Sequence, residues 1–145
     1  MIKRKWSNRS LLLILTFASI VCLGVANVCA QKQVKLVKTP RSFQTFYAKF
    51  KSAVLRNDKR AVASMTSFPF SYGWDAGDEG TYTRTHFLAK FTKIFRGGRR
   101  LFLRSDPTFD LDGDSLQLTN SADASHFTFE KRGNTYFFKS FIVEP

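Results

Sequence analysis

Between residues 42 and 56 the apolar side chains fall at Phe43, Phe46, Tyr47, Phe50 and Val54, spaced i, i+3, i+4, i+7 and i+11, while Lys49, Lys51 and Arg56 stay off that stripe. This spacing predicts an amphipathic helix, with Ser42 as its N-cap. Asn57 and Asp58 end it and can cap a short second helix over 59–66, with Val62 and Met65 turned inward. Phe68-Pro69-Phe70 is extended, because proline disfavours the α region for the residue before it. Residues 71–80 hold three Gly, three acids, Tyr72 and Trp74, and read as a loop or a short irregular hairpin. Phe87, Leu88, Phe91, Ile94 and Phe95 then predict a third helix, starting near Thr83 or Thr85 and stopped by Gly97-Gly98.

From there the period drops to two. Leu101 and Leu103 alternate with Arg100, Phe102 and Arg104; residues 108–111 and 115–119 flank Asp112-Gly113, a hairpin signal; Phe127 and Phe129 share one face of 125–130. A turn at 132–134 leads into 135–143, whose two faces read as Tyr136, Phe138, Ile142 and Phe137, Phe141, Val143. Helices followed by strands predict an α+β domain, three N-terminal helices packed on a curved antiparallel sheet of four to five strands.

The first 30 residues follow another logic. Lys3, Arg4, Lys5 and Arg9 precede an apolar run over 11–25, and small residues follow at Ala26 and Ala30. That is the layout of a secretory signal peptide, and the run is short for a permanent membrane helix. The expected division is therefore a signal peptide over 1–30, a basic linker over 31–41 and one domain over 42–145. The expected destination is the periplasm or the outside of the cell. Cleavage after Ala30 removes Cys22 and Cys29, and with them thiol catalysis, disulfides and cysteine-based zinc sites.

Charge adds one constraint. The chain has 23 Lys and Arg against 11 Asp and Glu, a formal net charge of +12. Residues 1–57 hold eleven of the basic residues and no acid, so the bulk figure describes a basic end. The part from Asp58 onward is nearly neutral, which argues against nucleic acid as a partner. A contact of the basic stretch 31–56 with an anionic membrane surface remains a reading of its own.

The run Phe43, Phe46-Tyr47, Phe50, Ala53-Val54, Asp58, Ala61-Val62-Ala63, Phe68-Pro69 resembles the opening of the NTF2-like superfamily, in particular its uncharacterised exported bacterial members. Phe87-Leu88, Phe91 and Ile94-Phe95 match the third helix of that group. The resemblance covers about residues 42–143. It implies a cone, a strongly bent sheet wrapped on helices around a pocket, and a family that includes isomerases, dehydratases, cyclases and non-catalytic binding modules. These are packing motifs, so they speak for fold and leave chemistry open.

Candidate chemistry is sparse. Asp110, Asp112 and Asp114 resemble the start of a calcium loop, but Ser115 stands where the sharp turn needs Gly and Ser121 where a bidentate Glu is needed. A solvated Asp-Gly turn is the simpler reading, so no metal and no cofactor is expected. His86 and His126 are the only histidines, too isolated for a metal site. One of them near Asp75, Tyr47 or Tyr136 would make an acid–base pair. Trp74, on the glycine-rich stretch, is a candidate lid over a pocket. Tyr47, Trp74, Asp75, His86, His126 and Tyr136 thus form the candidate ligand pocket, with no residue assigned as catalytic. The leading expectation is a non-catalytic module binding a small apolar ligand or a protein partner. A small-molecule isomerase or hydro-lyase is the alternative, and apolar residues on both faces of 135–143 suggest a homodimer.

Overall fold

The computed structural model describes residues 38–74 and 77–144. The signal-peptide reading, most of the basic linker and Asp75 lie outside the described residues. The chain runs α1 (Arg41–Leu55), α2 (Lys59–Ser64), β1 (Thr66–Trp74), β2 (Asp78–Tyr82), α3 (Arg84–Arg96), a 3-10 helix (Gly98–Leu103), β3 (Asp110–Asp112), β4 (Ser115–Asn120), β5 (Ser125–Arg132) and β6 (Thr135–Val143). The α+β class holds. The sheet, however, has six strands, in the order β2-β1-β6-β5-β4-β3, and it is mixed: β1 runs parallel to β6 while every other pair is antiparallel. The first two strands also separate the second helix from the third, so the helices do not form an uninterrupted N-terminal run.

The helices follow their stripes. Phe43, Phe46, Tyr47, Phe50, Ala53 and Val54 are the buried residues of α1. Its N-cap is Pro40 and not Ser42, and it makes no side-chain cap hydrogen bond. Asn57 takes a left-handed φ of 59° that ends α1, and the Asp58 carboxylate accepts the Ala61 N–H at 3.0 Å to begin α2. The Thr83 hydroxyl accepts the His86 N–H at 3.4 Å at the start of α3.

Two strand readings change and one is decided. Of the loop or short hairpin read over 71–80, a hairpin forms, with Phe70 to Trp74 paired to Tyr82 to Asp78. Four of the five β2 residues are exposed, which erases the alternation that marks a half-buried strand. The stretch Gly98–Leu103 is a 3-10 helix and no strand. Leu101 and Phe102, adjacent in sequence, are both buried, while Leu103 is 66% exposed. This turn is held on α1 by two side chains: Arg99 Nη2 donates to Leu55 O at 2.7 Å and Lys51 Nζ donates to Arg104 O at 2.6 Å. Gly98 is what lets it approach the sheet, because a Cβ there would sit 2.3 Å from Phe127 Cζ.

The faces of β6 also change. Phe127 pairs with Phe141 and Thr128 with Ser140, but Phe129 pairs with Phe138, so Lys139 is an extra residue. Such a bulge shifts the alternation by one position. Tyr136 and Phe138 before it, and Phe141 and Val143 after it, therefore share the core side, whereas Ile142 does not pack against the core.

The helices cover one face of the sheet through aromatic rings. Phe50 of α1 lies 5.2 Å from both Phe129 and Phe138. Phe87 of α3 lies 5.0 Å from Phe70, and Phe102 of the 3-10 helix 5.2 Å from Phe127. Each buried Phe contributes about 1.5–3 kcal/mol of transfer free energy, and edge-on pairs add about 0.5–1.5 kcal/mol beyond area.

Candidate functional site

The five described candidate residues separate into four places. Tyr47 and Tyr136 meet around Phe43, whose ring lies 5.9 Å from the first and 5.0 Å from the second. Trp74 sits in β1, not in a loop; its indole N–H donates to the Tyr82 hydroxyl at 3.2 Å and its ring lies 4.9 Å from Phe141. Lys93 Nζ lies over that ring at 3.9 Å from its centroid, and approaches Asp78 at 4.0 Å. Trp74 is thus a packing element between the β1–β2 hairpin and α3. His86 is exposed in the first turn of α3.

His126 belongs to a polar chain on the β4–β5 pair. Its Nδ1 is 3.1 Å from Thr119 Oγ1, and Thr119 Oγ1 is 3.4 Å from Asp110 Oδ2. Its Nε2 lies 3.3 Å from Glu144 Oε1, an ion-pair distance with hydrogen-bond alignment unmet. Asp110 is spoken for by Thr119, and among the described residues no three His, Cys, Asp or Glu side chains converge as metal ligands.

One named residue does line a cleft. Tyr47 is 6% exposed, and its hydroxyl is buried without a hydrogen-bond partner. Burial pushes its phenol well above the ordinary tyrosine value, since the ionised form would lose its hydration. The cleft beside it has a volume of about 400 Å³, with Phe43, Tyr47 and Phe109 as apolar lining and Gln44, Lys51 and Asp106 as polar lining. The first helix supplies one wall through its i, i+3, i+4 rows. The other wall is the 105–109 connection, returned to α1 by Phe109, whose ring stands edge-on to Phe43 at 4.8 Å and to Tyr47 at 4.9 Å. Clefts of roughly 300–1,000 Å³ with an apolar lining and a few polar groups suit small ligands. Lys51, Asp106 and Phe109 were not among the site residues expected from the sequence; the signal open to it was Pro107, a loop former between the 3-10 helix and β3.

Two further hollows lie on the helices. An open groove between α1 and α2 is lined by Lys49, Ser52, Arg56 and Ser64. A smaller one, where α1, α3 and the 3-10 helix meet, is lined by Asn57, Thr92, Arg96 and Arg99 among others.

No family model matches the chain, and no curated protein matches it. Solved structures do. An NTF-2 like protein of unknown function from Silicibacter pomeroyi DSS-3 matches at 16% identity and a TM-score of 0.42, over 71% of this chain and 92% of that one. A protein of unknown function with a cystatin-like fold from Nostoc punctiforme PCC 73102 matches at 11% identity and a TM-score of 0.41, over 72% of this chain and 90% of that one. With TM-scores of 0.42 and 0.41, neither match carries a fold, a family or a residue's role over to this chain.

Proposed function

We propose that this chain is an exported, non-catalytic binding domain of the NTF2-like kind, taking a small, partly apolar ligand in the cleft between α1 and residues 105–109. The observation that carries this reading is Tyr47, a residue that lines the cleft and whose hydroxyl is buried without a hydrogen-bond partner. A buried hydroxyl without a partner costs stability, and a ligand acceptor would relieve that cost. The space between helices and sheet, where a cone would hold its pocket, is packed with phenylalanine rings, which directs a ligand to the rim. The test is a fragment screen by amide NMR. Hits should shift Gln44, Tyr47, Lys51 and Phe109 together, and Tyr47→Phe should weaken those hits that carry a hydrogen-bond acceptor. Hits that leave these amides still and move those around His126 would overturn the reading.

The catalytic alternative, an isomerase or hydro-lyase, draws its support from the Glu144–His126–Thr119 chain, a carboxylate, imidazole and hydroxyl in sequence. Its test is a panel of hydroxy-acyl and enone substrates, with His126→Gln as the control that must abolish any turnover.

A further inference from the structure

The near-neutral sum from Asp58 onward hides a division by element. Residues 38–65 and 83–104, which form the helices and their flanks, contain fourteen Lys and Arg and a single acid, Asp58. Residues 66–82 and 105–144, the strands and their connections, contain ten acids and three basic residues. The single acid among the helices is engaged as the α2 cap.

The cations are also contiguous. Arg99 reaches Leu55 O, Lys51 reaches Arg104 O, and Arg96 and Arg99 line one hollow with Asn57, so the ends of α1 and α3 and the whole 3-10 helix present one surface. Arg96, Arg100 and Arg104 are exposed and make no ion pair among the described residues. In their midst stands Leu103, 66% exposed, the more exposed of two large hydrophobic residues at the surface among the described residues, the other being Leu111 on β3. No phenylalanine of this layer is exposed, and its one exposed ring among the described residues, His86, lies in the first turn of α3, at the opposite end from Arg96, so the arginine surface itself offers no ring on which a nucleic-acid base could stack. Arginines around one outward leucine instead match a bilayer interface, with anionic headgroups for the guanidinium groups and an acyl boundary for the leucine.

We propose that the helical layer, centred on Arg96, Arg100, Leu103 and Arg104, docks on anionic lipid bilayers. None of these four residues lines the neighbouring Tyr47 cleft, which Lys51 borders, so either reading can fail alone.

The experiment is co-sedimentation of the full chain with vesicles of phosphatidylcholine containing 30% phosphatidylglycerol, and with pure phosphatidylcholine, between 50 and 300 mM salt. Every variant carries the same residues 1–37, so differences among variants report the helical layer. Each arginine near an anionic surface is worth about a fivefold change, and Arg96→Gln, Arg100→Gln and Arg104→Gln together should weaken anionic-vesicle binding on the order of 100-fold. Leu103→Ser should weaken it several-fold, up to about tenfold. Lys131→Gln with Lys139→Gln, on the strands, should change it by less than about twofold. Circular dichroism melts verify that each variant is folded; these side chains are solvent-facing. Three outcomes overturn the proposal: equal binding to neutral vesicles, no loss in the arginine variant, or tighter binding to a 20-base-pair DNA duplex than to the anionic vesicles with no effect of Leu103→Ser.

Discussion

Replacing Tyr47 by Phe removes one oxygen and keeps the ring. The ring contacts, with Phe109 at 4.9 Å and with Phe43 and Phe129 at 5.9 Å each, are retained. What is lost is a hydroxyl that is buried and unpartnered. Keeping such a group dehydrated costs about 1–3 kcal/mol, while the oxygen-sized void left by the substitution costs up to about 1 kcal/mol. The variant should therefore be more stable by about 0.5–2 kcal/mol, a Tm rise of several degrees for a domain of this size. Urea titration at neutral pH should move the midpoint upward at unchanged slope. Alkaline titration adds a second readout. The folded phenol is raised above its ordinary value of about 10. Below that value Tyr47 is protonated in both states and its effect on stability is pH-independent. Above it the unfolded chain sheds a proton that the folded chain keeps, so stability is lost as pH rises toward the folded value. Tyr47→Phe should flatten this loss, leaving the smaller share from Tyr72, whose phenol is also raised, by desolvation and then by Asp78 and Tyr82. Destabilisation by 1 kcal/mol or more at neutral pH would mean that the hydroxyl has a partner in the folded protein, against its unpartnered state in the structure.

Gly98→Ala should destabilise by about 1–3 kcal/mol, because its Cβ would press within 2.3 Å of the Phe127 ring, and the ring is itself packed against Phe102 and Phe141; a neutral urea midpoint would contradict the close approach. Asp58→Ala should cost about 0.5–2 kcal/mol through the lost α2 cap, and Asp58→Asn should recover most of it in the same titration. Trp74→Phe should cost roughly 1 kcal/mol through the lost indole–Tyr82 hydrogen bond, with ligand binding at the Tyr47 cleft unchanged; a loss of fragment binding would return Trp74 to the site.

What the sequence made legible was everything governed by a regular period. The stripes of α1 and α3 and the Asp58 cap depend on near neighbours and can be read without a fold. The alternation in β6 could not be read through Lys139, because a bulge is decided by the pairing with β5 and not by the strand itself. Residues 78–82 lacked alternation because β2 is exposed, and Leu101–Leu103 carried a false one because a 3-10 turn on α1 replaced the strand. Tyr47 was visible as a candidate only through its place on the stripe. Its missing partner and the wall opposite it depend on where the 105–109 segment returns. The separation of charge was likewise concealed, since the sum over residues 58–145 cancels terms that the fold keeps apart.

That separation gives the molecule a permanent electric dipole as well as a charged patch. A body with cations on its helices and acids on its strands experiences a torque near any charged boundary, and so turns before it touches. At physiological ionic strength the Debye length is about 8 Å, shorter than the roughly 10 Å between packed layers. The torque therefore acts only in the last stage of approach, selecting which side arrives first and leaving the frequency of encounter to diffusion.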